Sequence, residues 1–231
     1  MTGQFKGFDP DLMLFLTELS QNNQRTWFEE NKNRYREKVQ IPMSQLIMDF
    51  APRLEKISPH FIADPRLHGG SMFRIYRDAR FSHNKAPYKT NVGCQFRHEA
   101  GKDAHAPGFY FHIEPGEIFV GGGVYKPDST ALFKIRSAIA EKSNQWSRIV
   151  EEQSFVARFG EIYGDSLKTA PKGFSAEHPN IAHLKKKTWF VIQNLSEKEL
   201  YSPQLLNTIE TVCKAASPLM AFLSDALALP Y

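Results

Sequence analysis

The segment Gly108-Phe-Tyr-Phe-His-Ile-Glu-Pro-Gly-Glu-Ile-Phe-Val-Gly-Gly-Gly-Val-Tyr125 carries the period of a β-sheet. In its first half Phe109, Phe111 and Ile113 share one strand face, while Tyr110, His112 and Glu114 share the other. That alternation suits an antiparallel sheet with one covered face. Pro115-Gly116 supplies a tight turn, so Gly108–Glu114 and Glu117–Tyr125 are predicted to form a hairpin. Working outward, Met72–Arg77, Asn91–Arg97 and Lys187–Gln193 are short, rich in β-branched and aromatic residues, and bounded by Gly, Pro and polar clusters. They read as further strands.

Helical spacing frames this group. Asp9 and Pro10 make an N-cap and N1 pair before Leu12, Phe15, Leu16 and Leu19. Asn22 and Asn23 end that helix, and either can cap a second one with Trp27, Phe28, Tyr35 and Val39 on one stripe. Pro42 opens a third through Leu46, Ile47, Phe50, Leu54 and Ile57, which Pro52 is expected to kink or shorten. After the strands, Asp128 or Ser129 caps a helix carrying Leu132, Ile135, Ile139 and Ala140, and another lies around Trp146, Ile149 and Val150. Gly160–Pro179 is loop-rich, and two last helices start near Pro203 and Pro218. Helices, a consecutive strand group and helices again define an α+β class. The expectation is a single domain over residues 1–231, with an antiparallel or mixed sheet packed by N-terminal and C-terminal helices.

An apolar fraction of 42% with 23% charged residues is that of a soluble globular chain. The N-terminus lacks the apolar stretch of a signal peptide, and no apolar run is long enough to span a bilayer. A cytoplasmic protein without membrane partners is expected. Cys94 and Cys213 fit no CxxC or zinc spacing and are expected as buried, reduced thiols.

The whole chain carries +4, yet the seven Lys/Arg between Arg74 and Lys102 face only Asp78 and Glu99. The basicity is therefore local. It centres on Phe73-Arg-Ile-Tyr-Arg-Asp-Ala-Arg-Phe-Ser-His-Asn-Lys-Ala-Pro-Tyr-Lys89, where cations alternate with aromatic rings. Guanidinium groups stay charged and offer a planar donor fork to carboxylate or phosphate. Three arginines around one carboxylate leave surplus positive charge, which argues for an anion site. Arg74, Arg77, Arg80, Lys85 and Lys89 are the candidate ligands, with Arg80, Ser82 and Lys85 projecting from a loop, Asp78 orienting the arginines, and Tyr76 and Tyr88 walling the pocket. An ion-pair network that merely pins the loop would be written in the same residues.

The run Phe-Arg-Ile-Tyr-Arg-Asp…Arg-Phe-Ser…Lys…Pro-Tyr-Lys resembles the domain-of-unknown-function 2461 family of conserved hypothetical proteins. Asn22-Asn23 with Trp27-Phe28 and Tyr35, the Gly121–Tyr125 run, and Leu167-Lys168…Pro171-Lys-Gly173-Phe174…His178-Pro179…Leu184-Lys185 extend the resemblance over nearly the whole chain. It implies one intact module and brings no established activity or substrate. Asn84 and Ala86 stand where the family pattern has an acidic residue and a threonine.

Lys168 and Lys185 belong to a second basic group, read first as a solvated helix end and loop; in its functional version Lys168 or Lys185 closes over the same anion, with His178 beside Asp78 as the acid–base candidates. Gly121-Gly122-Gly123 lacks the Walker and GxGxxG spacings, and is read as a bulge or a flat surface for close packing. His98, Glu99, His105 and His112 match no zinc pattern, and His112 with Glu114 reads as a surface pair. No metal and no cofactor are expected, and no motif names a reaction. The leading partner is an anionic small molecule, bound either as a ligand or as an enzyme's substrate. The rival is an interaction module for nucleic acid or protein, in which the Arg–Asp network is structural.

Overall fold

A computed structural model of the chain describes residues 4–78, 80, 83, 85–101 and 106–231. Ser82 and Asn84 of the expected loop, and His105, lie outside these. The helical first third comprises α1 (Asp11–Gln21), α2 (Arg25–Glu30), α3 (Lys32–Tyr35), a π-helical turn (Arg36–Gln40) and α4 (Ile41–Ile57). Among the described residues five strands follow, in the order β1 (Phe61–Ile62), β2 (Val92–His98), β3 (Gly108–Glu114), β4 (Glu117–Val124) and, much later, β5 (Trp189–Asn194). The remaining helices are α5 (Ser129–Glu141), α6 (Ser143–Val150), α7 (Gln153–Phe159), α8 (Ile181–Leu184), α9 (Glu197–Leu200) and α10 (Leu205–Ala226).

The sheet is a fully antiparallel meander with neighbours in sequence order. Its alternation is the one read from the sequence. Phe109, Phe111 and Ile113 are buried with Cys94, Phe96, Val120, Trp189 and Val191 under the helices, while Tyr110 and Glu114 stay partly open on the other face. Both cysteines are free and buried. Asp128 caps α5, accepting from the Ala131 N–H at 2.8 Å, so its carboxylate and not a ligand occupies that helix end.

Gly122 points into the helical layer. A Cβ there would lie 2.9 Å from Phe109 and 3.1 Å from the Met220 sulfur, so this glycine lets α10 approach β4. Gly121 and Gly123 lie on the open face, where a Cβ would meet the carbonyls of Val191 and Trp189 at 2.2 and 2.0 Å. Close packing, as expected, accounts for the triplet.

Pro42 stands in the first turn of α4, as expected, although the chain ahead of it is already helical. Ile41 N–H bonds to Arg36 O, one residue further back than α-helical, and this wider turn absorbs the donor that Pro42 lacks. Two later prolines depart from expectation. Pro52 leaves α4 intact to Ile57. Pro218 sits inside α10, where buried Val212, Cys213, Ala216, Leu219, Met220 and Leu223 continue one apolar face through it, so packing overrides the missing hydrogen bond. One helix replaces the two expected.

Met72–Arg77 does not form a regular strand. It makes isolated bridges, Met72 to Cys94 and Tyr76 to Tyr88, and the register slips by two residues between them. Pro87 has no donor to offer and accepts only, from Arg77 N–H at 2.9 Å. Neither Asn22 nor Asn23 caps α2. Asn23 instead bonds both backbone groups of Tyr88, donating to its carbonyl at 3.1 Å and accepting from its N–H at 3.0 Å. Phe28 stacks on the Tyr88 ring with centroids 4.1 Å apart, so the basic segment is fastened to the N-terminal helices.

Candidate functional site

Fastening the segment there creates a cleft of about 530 Å³ between it and the helices. Phe28, Lys32, Arg36 and Gln40, spaced every four residues, form one wall, and His68, Arg74, Ile75 and Tyr76 form the other. Among the described residues the lining holds two guanidiniums, an ammonium and an imidazole, and no carboxylate. Lys32 is met by Glu29 at 3.0 Å. The guanidiniums of Arg36 and Arg74 make no hydrogen bond or ion pair to any described residue, and the Arg74 charge reaches Asp78 only through space. The π-helical turn contributes both Arg36 and Gln40, and such turns recur at functional sites.

The predicted residues are divided by this geometry. Arg74 and Tyr76 line the cleft, while Tyr88 is buried behind it against Phe28. Arg77, Arg80 and Lys85 are exposed and line neither this cleft nor the one on the sheet face. Asp78 accepts from Arg80 Nε at 3.0 Å and Nη2 at 2.7 Å, and these bonds hold its carboxyl below the usual carboxylate range. Lys89 lies 5.3 Å from the Phe73 ring centre, and burial followed by the nearby Arg74 charge lowers its pKa. Lys168 is exposed and Lys185 half-buried beside it, joined through the Leu167 N–H bond to the Lys185 carbonyl at 2.8 Å. Nδ1 of His178 accepts from the Asn180 N–H at 3.0 Å. These three residues line neither cleft.

Sequence reasoning missed Lys32, Arg36 and His68. The four-residue spacing of Phe28, Lys32, Arg36 and Gln40 was a usable signal for one helical face. His68, in the loop before Met72, offered none.

A second cavity of about 740 Å³ lies on the open sheet face and shares Phe73 with the first. Its floor follows the register, with Arg97, Gly108, Gly123 and Phe190 in one row, then Gln95, Tyr110, Gly121 and Ile192, then Gly93, His112, Phe119 and Asn194. Gly93 and Gly121 let rings lie flat, since a Cβ would fall 2.6 Å from the Tyr110 hydroxyl and 2.7 Å from the Phe190 ring. Burial pushes the Tyr110 phenol up to about 12. Arg97 stands at one end, and His112 with Glu117 at the other.

An antiparallel meander covered on one face by helices defines an α+β protein. The chain matches over residues 11–222 the family described as conserved hypothetical protein (DUF2461), and it belongs to that family. No curated protein and no solved structure matches it.

Proposed function

We propose that the protein binds a small anionic molecule, a phosphate ester or a carboxylate, in the cleft between Phe28–Gln40 and His68–Tyr76. The observation that carries this reading is the pair Arg36 and Arg74, two guanidiniums that make no hydrogen bond or ion pair among the described residues, in a lining whose described residues include no carboxylate. A bound oxyanion would accept charge-assisted hydrogen bonds from both, each worth about 1.5–3 kcal/mol. Tyr76 supplies an apolar wall with a polar tip, and His68 an imidazole whose ring nitrogens can hydrogen-bond a ligand.

Titration calorimetry with pyrophosphate and a set of sugar phosphates tests it. Binding is expected for at least one, and Arg36→Ala and Arg74→Ala should each weaken it about 10- to 100-fold. Arg80→Ala, outside the lining, should leave it unchanged. Absence of binding to every probe, or wild-type binding by the Arg36 and Arg74 variants, would sink the proposal. The rings on the open sheet face, with Arg97 and Lys89 beside Phe73, favour single-stranded nucleic acid as the second reading. That reading requires retention of a short oligonucleotide that falls steeply with salt.

A further inference from the structure

We propose that His112, Glu114 and Glu117 form a binding site for a divalent transition-metal ion of the zinc type, at the closed end of the β3–β4 hairpin. This goes beyond the anion cleft and does not depend on it. The hairpin itself assembles the donors. His112 and Glu114 are two residues apart on one strand face, and Glu117 pairs directly across from Glu114. One donor atom from each residue lies within 4.8 Å of the others.

His112 points to a ligand independently of the carboxylates. Its side chain is 8% exposed, and Nε2 is buried without a hydrogen-bond partner among the described residues. Glu114 Oε2 lies 3.4 Å from Nε2, in a geometry that makes no hydrogen bond. Two donors held at about 2.0–2.1 Å by a tetrahedral ion stand about 3.4 Å apart, so the pair already has the spacing of two zinc ligands.

Everything else around the imidazole is fixed. Its Nδ1 lies 2.9 Å from the Tyr110 hydroxyl, and the ring stacks on Phe119 at 4.8 Å and 14°. With Nδ1–H donating to Tyr110, Nε2 carries the lone pair that a metal requires. Thr90 donates to Glu114 Oε1 at 2.7 Å and so leaves Oε2 turned toward His112. Hydroxyl partners on both the imidazole and the carboxylate are the usual outer support of a metal centre. One imidazole with two carboxylates suits zinc better than magnesium or calcium, which favour oxygen donors alone. Three protein ligands leave a fourth position, and His112 and Glu117 both border the sheet-face cavity onto which it would open.

The test is calorimetric titration of chelator-treated full-length protein with Zn²⁺ in phosphate-free buffer, with Co²⁺ absorption as the report on coordination. One equivalent is expected to bind, with Mg²⁺ and Ca²⁺ binding at least 100-fold more weakly. Glu117→Gln, exposed at the first residue of β4, should fold normally and lose at least 10-fold in Zn²⁺ affinity, and Thr90→Val should lose about 10-fold through Glu114. A structural His–Glu pair would give no stoichiometric binding, or binding that Glu117→Gln does not change, and either result overturns the site. Unaltered Zn²⁺ binding in a Glu114→Gln/Glu117→Gln double variant would also overturn it by placing the ion elsewhere. Because Arg36 and Arg74 are intact throughout, failure here is separate from failure of the anion cleft.

Discussion

Gly123→Ala is expected to remove about 4 kcal/mol or more of folding stability. At φ of +147° this residue occupies backbone space that L side chains rarely enter, which alone costs on the order of 1–3 kcal/mol. The added Cβ would also sit 2.0 Å from the Trp189 carbonyl oxygen and 2.7 Å from Phe190 Cα, both backbone atoms that no rotamer change can move. Relief requires parting β4 from β5, which exposes hydrogen-bonding groups and the buried Val124 and Trp189. Domains are stable by only about 5–15 kcal/mol, so this loss is a large share of the total. Gly116→Ala is the control, because Gly116 also has positive φ, +86°, but its Cβ would meet nothing within 4 Å. It should cost only about 1 kcal/mol. Urea unfolding of both variants decides the matter, and equal losses would mean that the β4–β5 approach is not what demands glycine at 123.

The second large effect concerns Trp146, which is fully buried against Phe222 and donates from Nε1 to His183 Nδ1 at 2.6 Å. Trp146→Ala should cost about 3–5 kcal/mol through lost contacts and the cavity left behind. The bond adds a pH signature. His183 has its pKa lowered from 6.5, first by burial and then by the Lys186 charge. A histidine with a lowered folded-state pKa contributes stability that is full above 6.5 and lost as pH falls toward the folded value, because the unfolded chain binds the proton more readily. An N–H pointed at Nδ1 opposes protonation there. Trp146→Phe should therefore cost about 1–3 kcal/mol near pH 7.5 and show a smaller drop between pH 7.5 and 5.5 than the wild type. If denaturant midpoints of Trp146→Phe fall by the wild-type amount over that interval, the indole does not hold His183 neutral.

What was readable in the chain, and what was not, follows the range of the physics involved. The faces of β3 were legible because a period of two is set between neighbouring residues, and the Asp128 cap because it spans one helical turn. Two prolines misled. Their local penalty is real at Pro52 and Pro218, but the continuous apolar face across Pro218 outweighs it and does not show in a window of a few residues. At the basic cleft Arg74 and Tyr76 were visible from charge density alone. Arg36 and His68 were not, since they meet Arg74 only once Asn23 has fastened the helices to Tyr88. Glu117 could have been placed beside Glu114 and His112, because the Pro115–Gly116 turn already implied that register.

The strand order has a kinetic consequence. Strands β2, β3 and β4 join through a short segment and a tight turn, whereas β5 reaches β4 only after residues 125–188 have been laid down as helices and loops. Closing that long interval costs on the order of 2 kcal/mol more in chain entropy than closing the β2–β3 connection. The meander is thus expected to assemble first, leaving the β4 edge open until β5 docks. Amides of Val191 and Gln193 should gain exchange protection after those of Phe109 and Phe111 during refolding, and simultaneous protection would count against this sequence of events. Until β5 arrives, the glycine-bearing edge of β4 is the part of the nascent fold most able to pair with another chain.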